Sequence, residues 1–459
     1  MICIFIILVV ILIWIFNKIM SYIPRIIDQE LEKWRNQRDR KPLLLRGARQ
    51  VGKSSAVRHL AKSFDHFVEV NFDENPAFST LFEKTISPTE LCEQLALLLN
   101  VPIVEGKTLL FFDEIQACVP AISSLRYFYE KLPQLHVIAA GSLLEFALSE
   151  VPSYGVGRVR VIFLYPLSFQ EFLLANEEAG LIDYVMSAGF SAELPDLIHE
   201  KLNRYLKKFL IIGGMPEVVS SYVRNGDMLE VQRILDDLVI SIQADFAKFR
   251  DRVPAIRIRE VFSSVVQQVG NKFTYAFGNT NLTNRQVKQA LDLLTLAGII
   301  YPVSHSSCNG LPLGAEINVK KRKFLLFDTG IFQRILGLNM AEMLLESDFS
   351  VINKGNIAEM YVGLELIKNT SCYENWDLHY WQRESKNAQS EVDYVIQHKG
   401  EILPIEVKSG TKGAMQSLYR FLEEKKVMTG IRTSLENFGQ IPNVRIIPLY
   451  AMGMYKSGN

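Results

Sequence analysis

An α/β protein built in several units is what the sequence predicts, and three observations carry that expectation. An apolar strand at Leu43–Leu45 runs into a glycine-containing loop ending Gly52-Lys53-Ser54 and then into a helical pattern. Helical periodicity with breaks fills residues 176–250. Two apolar strands, separated by a turn at His398-Lys399-Gly400-Glu401, lie between Ser390 and Gly410. A length of 459 residues is more than one typical domain takes.

Composition narrows the class. The chain is 48% hydrophobic and 22% charged, a globular profile. Lys plus Arg and Asp plus Glu each number 50, so the net charge is zero and any nucleic-acid contact must be a local patch. The five cysteines, Cys3, Cys92, Cys118, Cys308 and Cys372, are odd in number and include no CxxC pair. That argues against a disulfide framework or a zinc site and fits a reducing, cytoplasmic setting.

The first element is an apolar run, Met1–Phe16, followed by Asn17 and Lys18. A membrane span needs about 20 apolar residues, so the run is short unless Lys18 snorkels. If it inserts, Lys18, Arg25, Lys33 and Arg35 hold the following chain on the cytoplasmic side of an inner membrane. The other reading is a natural start at Met20, because MSYIPRIIDQELEKW makes an amphipathic beginning for a soluble protein; residues 1–19 are then dispensable.

The strongest motif follows. Gly47-Ala48-Arg49-Gln50-Val51-Gly52-Lys53-Ser54 fits the phosphate-loop pattern in its required setting between a strand and a helix. Glycines let backbone N–H groups turn toward phosphate, and the helix N-terminus, where Ser55 also lies, adds partial positive charge. Lys53 is placed to reach the β- and γ-phosphates of ATP, and Ser54 offers a hydroxyl to Mg²⁺. A phosphate loop needs an acidic strand end, and KTLLFFDEIQ supplies one: Asp113 for the metal and Glu114 to polarise the attacking water. The apolar strand in LHVIAAGSLLEF ends at Gly141-Ser142; Ser142 either senses the γ-phosphate or simply caps the next helix. Arg158 and Arg160 are two apart and share a face of a strand. One of them is an arginine-finger candidate across a subunit interface, against the alternative of a solvated strand face.

Ser168 in YPLSFQEF reads as a helix cap, and Gly213-Gly214 with Pro216 as a helix stop. Thr283 is expected to cap a helix that ends at Gly298 before a strand, the pattern of a winged helix. Its Arg285, Lys288 and Gln289 suit phosphate and base contact, although a structural or protein-binding winged helix stays open. The Lys320–Lys323 run reads as solvated charge.

The C-terminal hairpin carries charge where a buried strand should not. Asp393 precedes an apolar stretch, while Glu406 and Lys408 flank Val407 on one strand face. Glu359 sits on a helix otherwise apolar at Ile357, Met360, Leu364 and Ile367. Convergence of Glu359, Asp393 and Glu406 on a divalent metal, with Lys408 beside it, would account for all four charges. Salt-bridged surface charge is the alternative.

The set E…D…ExK resembles the PD-(D/E)xK restriction-endonuclease-like superfamily. With GARQVGKS, FFDEIQ, AAGS, YPLSFQEF and GGMPEV, the chain resembles a widespread prokaryotic family of AAA-type ATPases with a nuclease-like C-terminal domain. The likeness covers residues 20–459. It implies nucleotide roles for Lys53, Ser54, Asp113 and Glu114 and metal roles for Glu359, Asp393, Glu406 and Lys408. It departs in having Glu391-Val392-Asp393 where the family has Pro-Asp, and in the hydrophobic start. The implied organisation is a hydrophobic segment at 1–19, an AAA-type core at 20–175, a helical lid at 176–250, a winged-helix-like segment at 251–320 and an α/β restriction-endonuclease-like domain at 321–459. The expected function is ATP hydrolysis that controls a DNA-directed, nucleolytic C-terminal domain; the alternative is a nucleotide-switched binding module without nuclease activity. Expected partners are ATP, Mg²⁺, DNA and a second copy of the chain, with a membrane only if residues 1–19 are translated.

Overall fold

The computed structural model of the protein describes residues 22–84, 87–142, 144, 157–249, 252–275, 282–339, 342, 356–374, 377–383, 390–411 and 413–458. The apolar run at 1–19 lies outside them, and none of the described helices is long and apolar enough to cross a membrane.

Five short strands form the first sheet: Leu43–Arg46 (β1), His66–Asn71 (β2), Thr108–Asp113 (β3), His136–Ala140 (β4) and Arg160–Phe163 (β5), in the order β2-β3-β4-β1-β5. Every pairing is parallel. A parallel sheet covered on both faces needs continuous apolar strands rather than alternating ones. LLLR, TLLFFD and HVIAA meet that need and are buried nearly throughout. All strand C-termini point to one edge, where the loop after β1 opens the helix Lys53–Ala61.

The second sheet has eight strands: Ile300–Ser306 (β6), Ile317–Leu326 (β7), Leu378–Gln382 (β8), Glu391–His398 (β9), Glu401–Val407 (β10), Gly430–Ser434 (β11), Gly439–Ile441 (β12) and Val444–Pro448 (β13). Their order is β12-β13-β11-β10-β9-β8-β6-β7. The expected hairpin is β9–β10, antiparallel, with Glu401 opposite His398. Lys399 and Gly400 both have positive φ, 49° and 81°, as a two-residue primed turn requires. β10 and β11 run parallel, joined through the helix Gln416–Lys425.

Between the sheets, residues 179–245 form four helices, as the periodicity predicts. Ser168 and Thr283 both cap their helices in reciprocal boxes, with Glu171 and Gln286. Arg285, Lys288 and Gln289 are exposed on the helix Asn284–Leu296. The boundary expected at 320/321 needs correction: it falls inside β7, and β6 pairs parallel with β8. The strands that would form the wing are thus built into the C-terminal sheet. One apolar core runs from Leu31 through Leu206, Leu294 and Leu326 to Tyr450, so the expected units share a single interior.

The helix Asn356–Lys368 lies against this second sheet along a nearly fully buried face. A Cβ on Gly363 would stand 2.4 Å from Tyr394 Oη and 2.5 Å from a Leu325 methyl. Gly363→Ala is therefore expected to destabilise the protein by about 1–3 kcal/mol through overpacking. Urea unfolding of the variant checks this; parent-like stability would mean that the helix can shift away from the sheet.

Candidate functional site

The loop between β1 and the helix Lys53–Ala61 is a phosphate cradle in its shape. Gly47 has no room for a side chain, since a Cβ would stand 2.0 Å from the Leu164 carbonyl oxygen. Gln50 and Gly52 have φ of 60° and 97°, so the loop curls and Gly52 opens the helix. Lys53 is buried and its Nζ donates to the carbonyls of Gly47 and Ala48, at 3.1 and 2.8 Å. Burial pushes its pKa down to about 8, while the carboxylates of Glu114 and Asp113 pull the other way. A phosphate arriving at the loop would give this ammonium a stronger acceptor than two carbonyls.

Asp113 ends β3 and is buried; its Oδ2 accepts from Ser54 Oγ at 2.7 Å. Burial raises its pKa, opposed by the Ser54 hydrogen bond. A serine hydroxyl and a carboxylate placed together are hard oxygen donors of the kind that suit Mg²⁺ carried in with ATP. Glu114 follows in a left-handed conformation, φ 50°, and its carboxylate accepts from Gln116 Nε2. Gln116 thus orients the expected water-polarising carboxylate, a role that the sequence reading did not give it although it stood in the quoted FFDEIQ.

Ser142 Oγ faces Arg49 Nε at 3.3 Å, which places it near the loop. Arg49 also holds both Asp245 oxygens through Nη1, at 2.7 and 2.9 Å. Asp245 ends the long helix Met228–Asp245, so one loop arginine ties the cradle to the helical segment. Ser55 is exposed on the first helical turn. Arg158 is the arginine-finger candidate across a subunit interface. It lies in the turn before β5, at the sheet edge opposite the phosphate loop, and pairs with Glu130 Oε1 at 2.5 Å. Arg160, at the start of β5, reaches Gln37 and stacks over Tyr373.

A second residue missed in the sequence, Arg25, joins the cradle to the rest of the molecule. Its Nη1 donates to the Val51 carbonyl (2.9 Å), Nη2 to the Tyr165 carbonyl (2.7 Å), and Nε pairs with Glu171 (2.9 Å). Glu171 belongs to the capping box of the helix Phe169–Ala175. The Phe169 N–H at the start of that helix donates to Glu365 Oε1 (3.1 Å), and Lys368 donates to the Leu167 carbonyl (2.9 Å). Burial lifts Glu365 to about 7 against the pull of Lys368. Glu365 and Lys368 lie on the helix that bears Glu359. An unbroken set of buried polar contacts therefore runs from the phosphate loop to the helix of the C-terminal carboxylates.

At that end, the four charges of the sequence reading meet a fifth and a sixth. Lys323 is 1% exposed on β7, and its Nζ lies 2.8 Å from Glu359 Oε1 and 2.5 Å from Glu391 Oε1, over the Tyr380 ring. The run Lys320–Lys323 is thus not uniformly solvated; its last member turns inward where β7 enters the core. Asp393 Oδ2 accepts from the Val407 N–H (2.8 Å), and Lys408 Nζ pairs with Glu406 Oε1 (2.6 Å). Burial raises Glu359 to about 8 and Glu406 to about 7, in both cases with the Asp393 charge adding to the effect. Burial also raises Asp393, against the attraction of Lys323. Burial alone would lower Lys323, but Glu359, Glu391 and Asp393 hold its ammonium above the usual range. Among the described residues, no group of three or more His, Cys, Asp or Glu is arranged to hold a metal ion.

Comparison with known proteins agrees with the first sheet. Residues 39–173 match the model of an AAA domain. Residues 203–342 and 354–452 match two separate domains of unknown function. The first part of the chain is an AAA-type P-loop ATPase domain, and the protein is an enzyme that hydrolyses ATP. No curated protein matches the chain. Among solved structures, a Walker-type ATPase of Pyrococcus abyssi is similar at 18% identity and TM-score 0.44, over 68% of this chain and 95% of that one. The Aeropyrum pernix ORC1 protein in complex with DNA is similar at 13% identity and TM-score 0.27, over 72% and 96%. Drosophila ORC bound to DNA is similar at 16% identity and TM-score 0.28, over 70% and 90%.

Proposed function

We propose that ATP binding and hydrolysis at the phosphate loop switch the affinity of a DNA-directed C-terminal half. The observation that carries this reading is the polar line from the Val51 carbonyl through Arg25 and Glu171 to Glu365 on the helix Asn356–Lys368. A loop that tightens on phosphate moves the carbonyl to which Arg25 is bonded. Buried charge-assisted bonds do not stretch freely, so the shift passes to the next packed helix. The DNA-directed part of the reading is supported by the exposed Arg285, Lys288 and Gln289 on a capped helix followed by the antiparallel pair β6–β7, the order of a winged helix. Mg²⁺ enters with ATP, held through Ser54 and Asp113. Arg158, remote from its own cradle and paired with Glu130, would serve a neighbouring copy as an arginine finger by exchanging that ion pair for phosphate.

A second reading, nucleolytic DNA processing, is favoured by Glu359 on the helix Asn356–Lys368 and Asp393, Glu406 and Lys408 on or beside the hairpin β9–β10, the charges that carry the resemblance.

Fluorescence anisotropy of a labelled duplex tests the first reading. DNA affinity should differ between ATP, ADP and nucleotide-free protein, and Lys53→Ala should erase the difference. Identical binding in all three states would sink the switch, and no binding in any of them would sink the DNA-directed part.

A further inference from the structure

We infer that Lys323 stands in the place of the divalent cation in the C-terminal carboxylate cluster, so that this half of the protein holds its nuclease-like arrangement together without a metal and does not cut. The inference rests on reading that half as nuclease-like, and it separates binding from cleavage within the proposed function.

The geometry makes the case. In a metal site, carboxylate oxygens converge on an ion and keep a coordination position for water. Here Glu359 Oε1 accepts from Lys323 Nζ at 2.8 Å, and Glu391 Oε1 accepts from the same ammonium at 2.5 Å. The Tyr380 ring covers a further side of the ammonium, its centroid 5.2 Å away. Asp393 is also within the field of Lys323, and one of its oxygens is already committed to the Val407 N–H. Glu406 keeps one oxygen, Oε2, buried without a partner, while the other is held by Lys408. A divalent ion entering this space would meet a buried ammonium already bonded to two of the carboxylates. Like charges at such range repel strongly in a dry site, so either the ion or Lys323 must leave. Lys323 lies in the paired stretch of β7, opposite Val303 of β6, and is 1% exposed.

Glu391, two residues before Asp393, acquires a role on this account. Glu391 is the residue that completes the ammonium's second ion pair. A built-in cation on β7 and a carboxylate on β9 thus meet across the sheet, with β6 and β8 between their strands.

Mn²⁺ titration of the nucleotide-free full-length protein by isothermal calorimetry tests the inference. Wild type and Asp393→Asn should give the same isotherm, because no ion binds at the cluster. Lys323→Met should gain one equivalent of bound Mn²⁺, and Lys323→Met/Asp393→Asn should lose it again. Where Lys323→Met does not fold, Lys323→Met/Glu391→Gln removes the stranded carboxylate and keeps Glu359, Asp393 and Glu406 for the ion. Mn²⁺ binding by wild type that Asp393→Asn removes would overturn the inference, as would Lys323 variants that fold and gain no ion. Metal-dependent DNA cleavage by wild type that is lost in Asp393→Ala would overturn it too. Loss of nucleotide-dependent DNA affinity alone would instead count against the switch, since the calorimetry uses neither ATP nor DNA.

Discussion

Lys53→Ala is expected to abolish ATP turnover, and Glu114→Gln to leave ATP binding intact while slowing hydrolysis by about 10²–10⁴-fold, the usual worth of a positioned general base. The two effects have different physical origins. Lys53 is the buried cation of the loop, and burial has already lowered its pKa to about 8. A cation partly desolvated in advance gains more from a phosphate than one that must first shed its water. Removing it leaves the cradle with backbone dipoles and an Arg49 already paired with Asp245, so binding and chemistry fall together. Glu114 follows Asp113 in a left-handed conformation, φ 50°, and its carboxylate accepts from Gln116 Nε2. Glutamine keeps the shape and the hydrogen bond but cannot take a proton. Equilibrium binding of a fluorescent ATP analogue and a coupled phosphate-release assay separate the two. Parent-rate turnover by Glu114→Gln would remove it from the role of base, and Gln116→Ala should then be the next variant examined.

Much of this nucleotide site was legible in the sequence because its chemistry is local. Gly47 to Ser54 lie on one continuous strand–loop–helix, and Asp113 ends a strand whose burial is written in its own apolar run. The hairpin β9–β10 was legible for the same reason, since Lys399-Gly400 encodes its turn and alternation sets its register. Arg25, Asp245 and Lys323 were not legible. Each acts on a partner far away in the chain: Arg25 on Glu171, Asp245 on Arg49, Lys323 on Glu359 and Glu391. Nothing in IPRII, QADF or KKRK fixes such a partner, and a lone charge beside apolar residues is most often solvated. The boundary near 320 failed for a related reason. A winged-helix pattern ends naturally in a two-stranded wing, and only the pairing of β6 with β8 turns that wing into part of a larger sheet.

Lys323→Met should destabilise the protein by about 3–5 kcal/mol near pH 8, because it strands buried carboxylates that share one counter-ion. The size of the loss should depend on pH, and its sign follows from Glu359. In the folded protein Glu359 is raised from 4.5 to about 8. Between those values the folded state binds a proton that the unfolded state releases, so the contribution of this group to stability falls as pH rises through that window. In the parent protein the ammonium of Lys323 offsets the cost of the ionised carboxylate. Its own pKa is raised, so its stabilising contribution is fully present across the same window and fades only in strong alkali. Methionine fills the volume of the lysine stem but cannot offset charge, and the variant should recover most of the loss when its carboxylates are protonated. Urea unfolding at about pH 5.5 and about pH 8.5 measures this, with the penalty expected to be clearly smaller at the lower value. A penalty equal at both would mean that Lys323 contributes by packing against Tyr380 and not as the cation of the cluster. Lys323→Met/Glu359→Gln should then be no more stable than Lys323→Met, whereas on the ionic account the second substitution restores part of what the first removes.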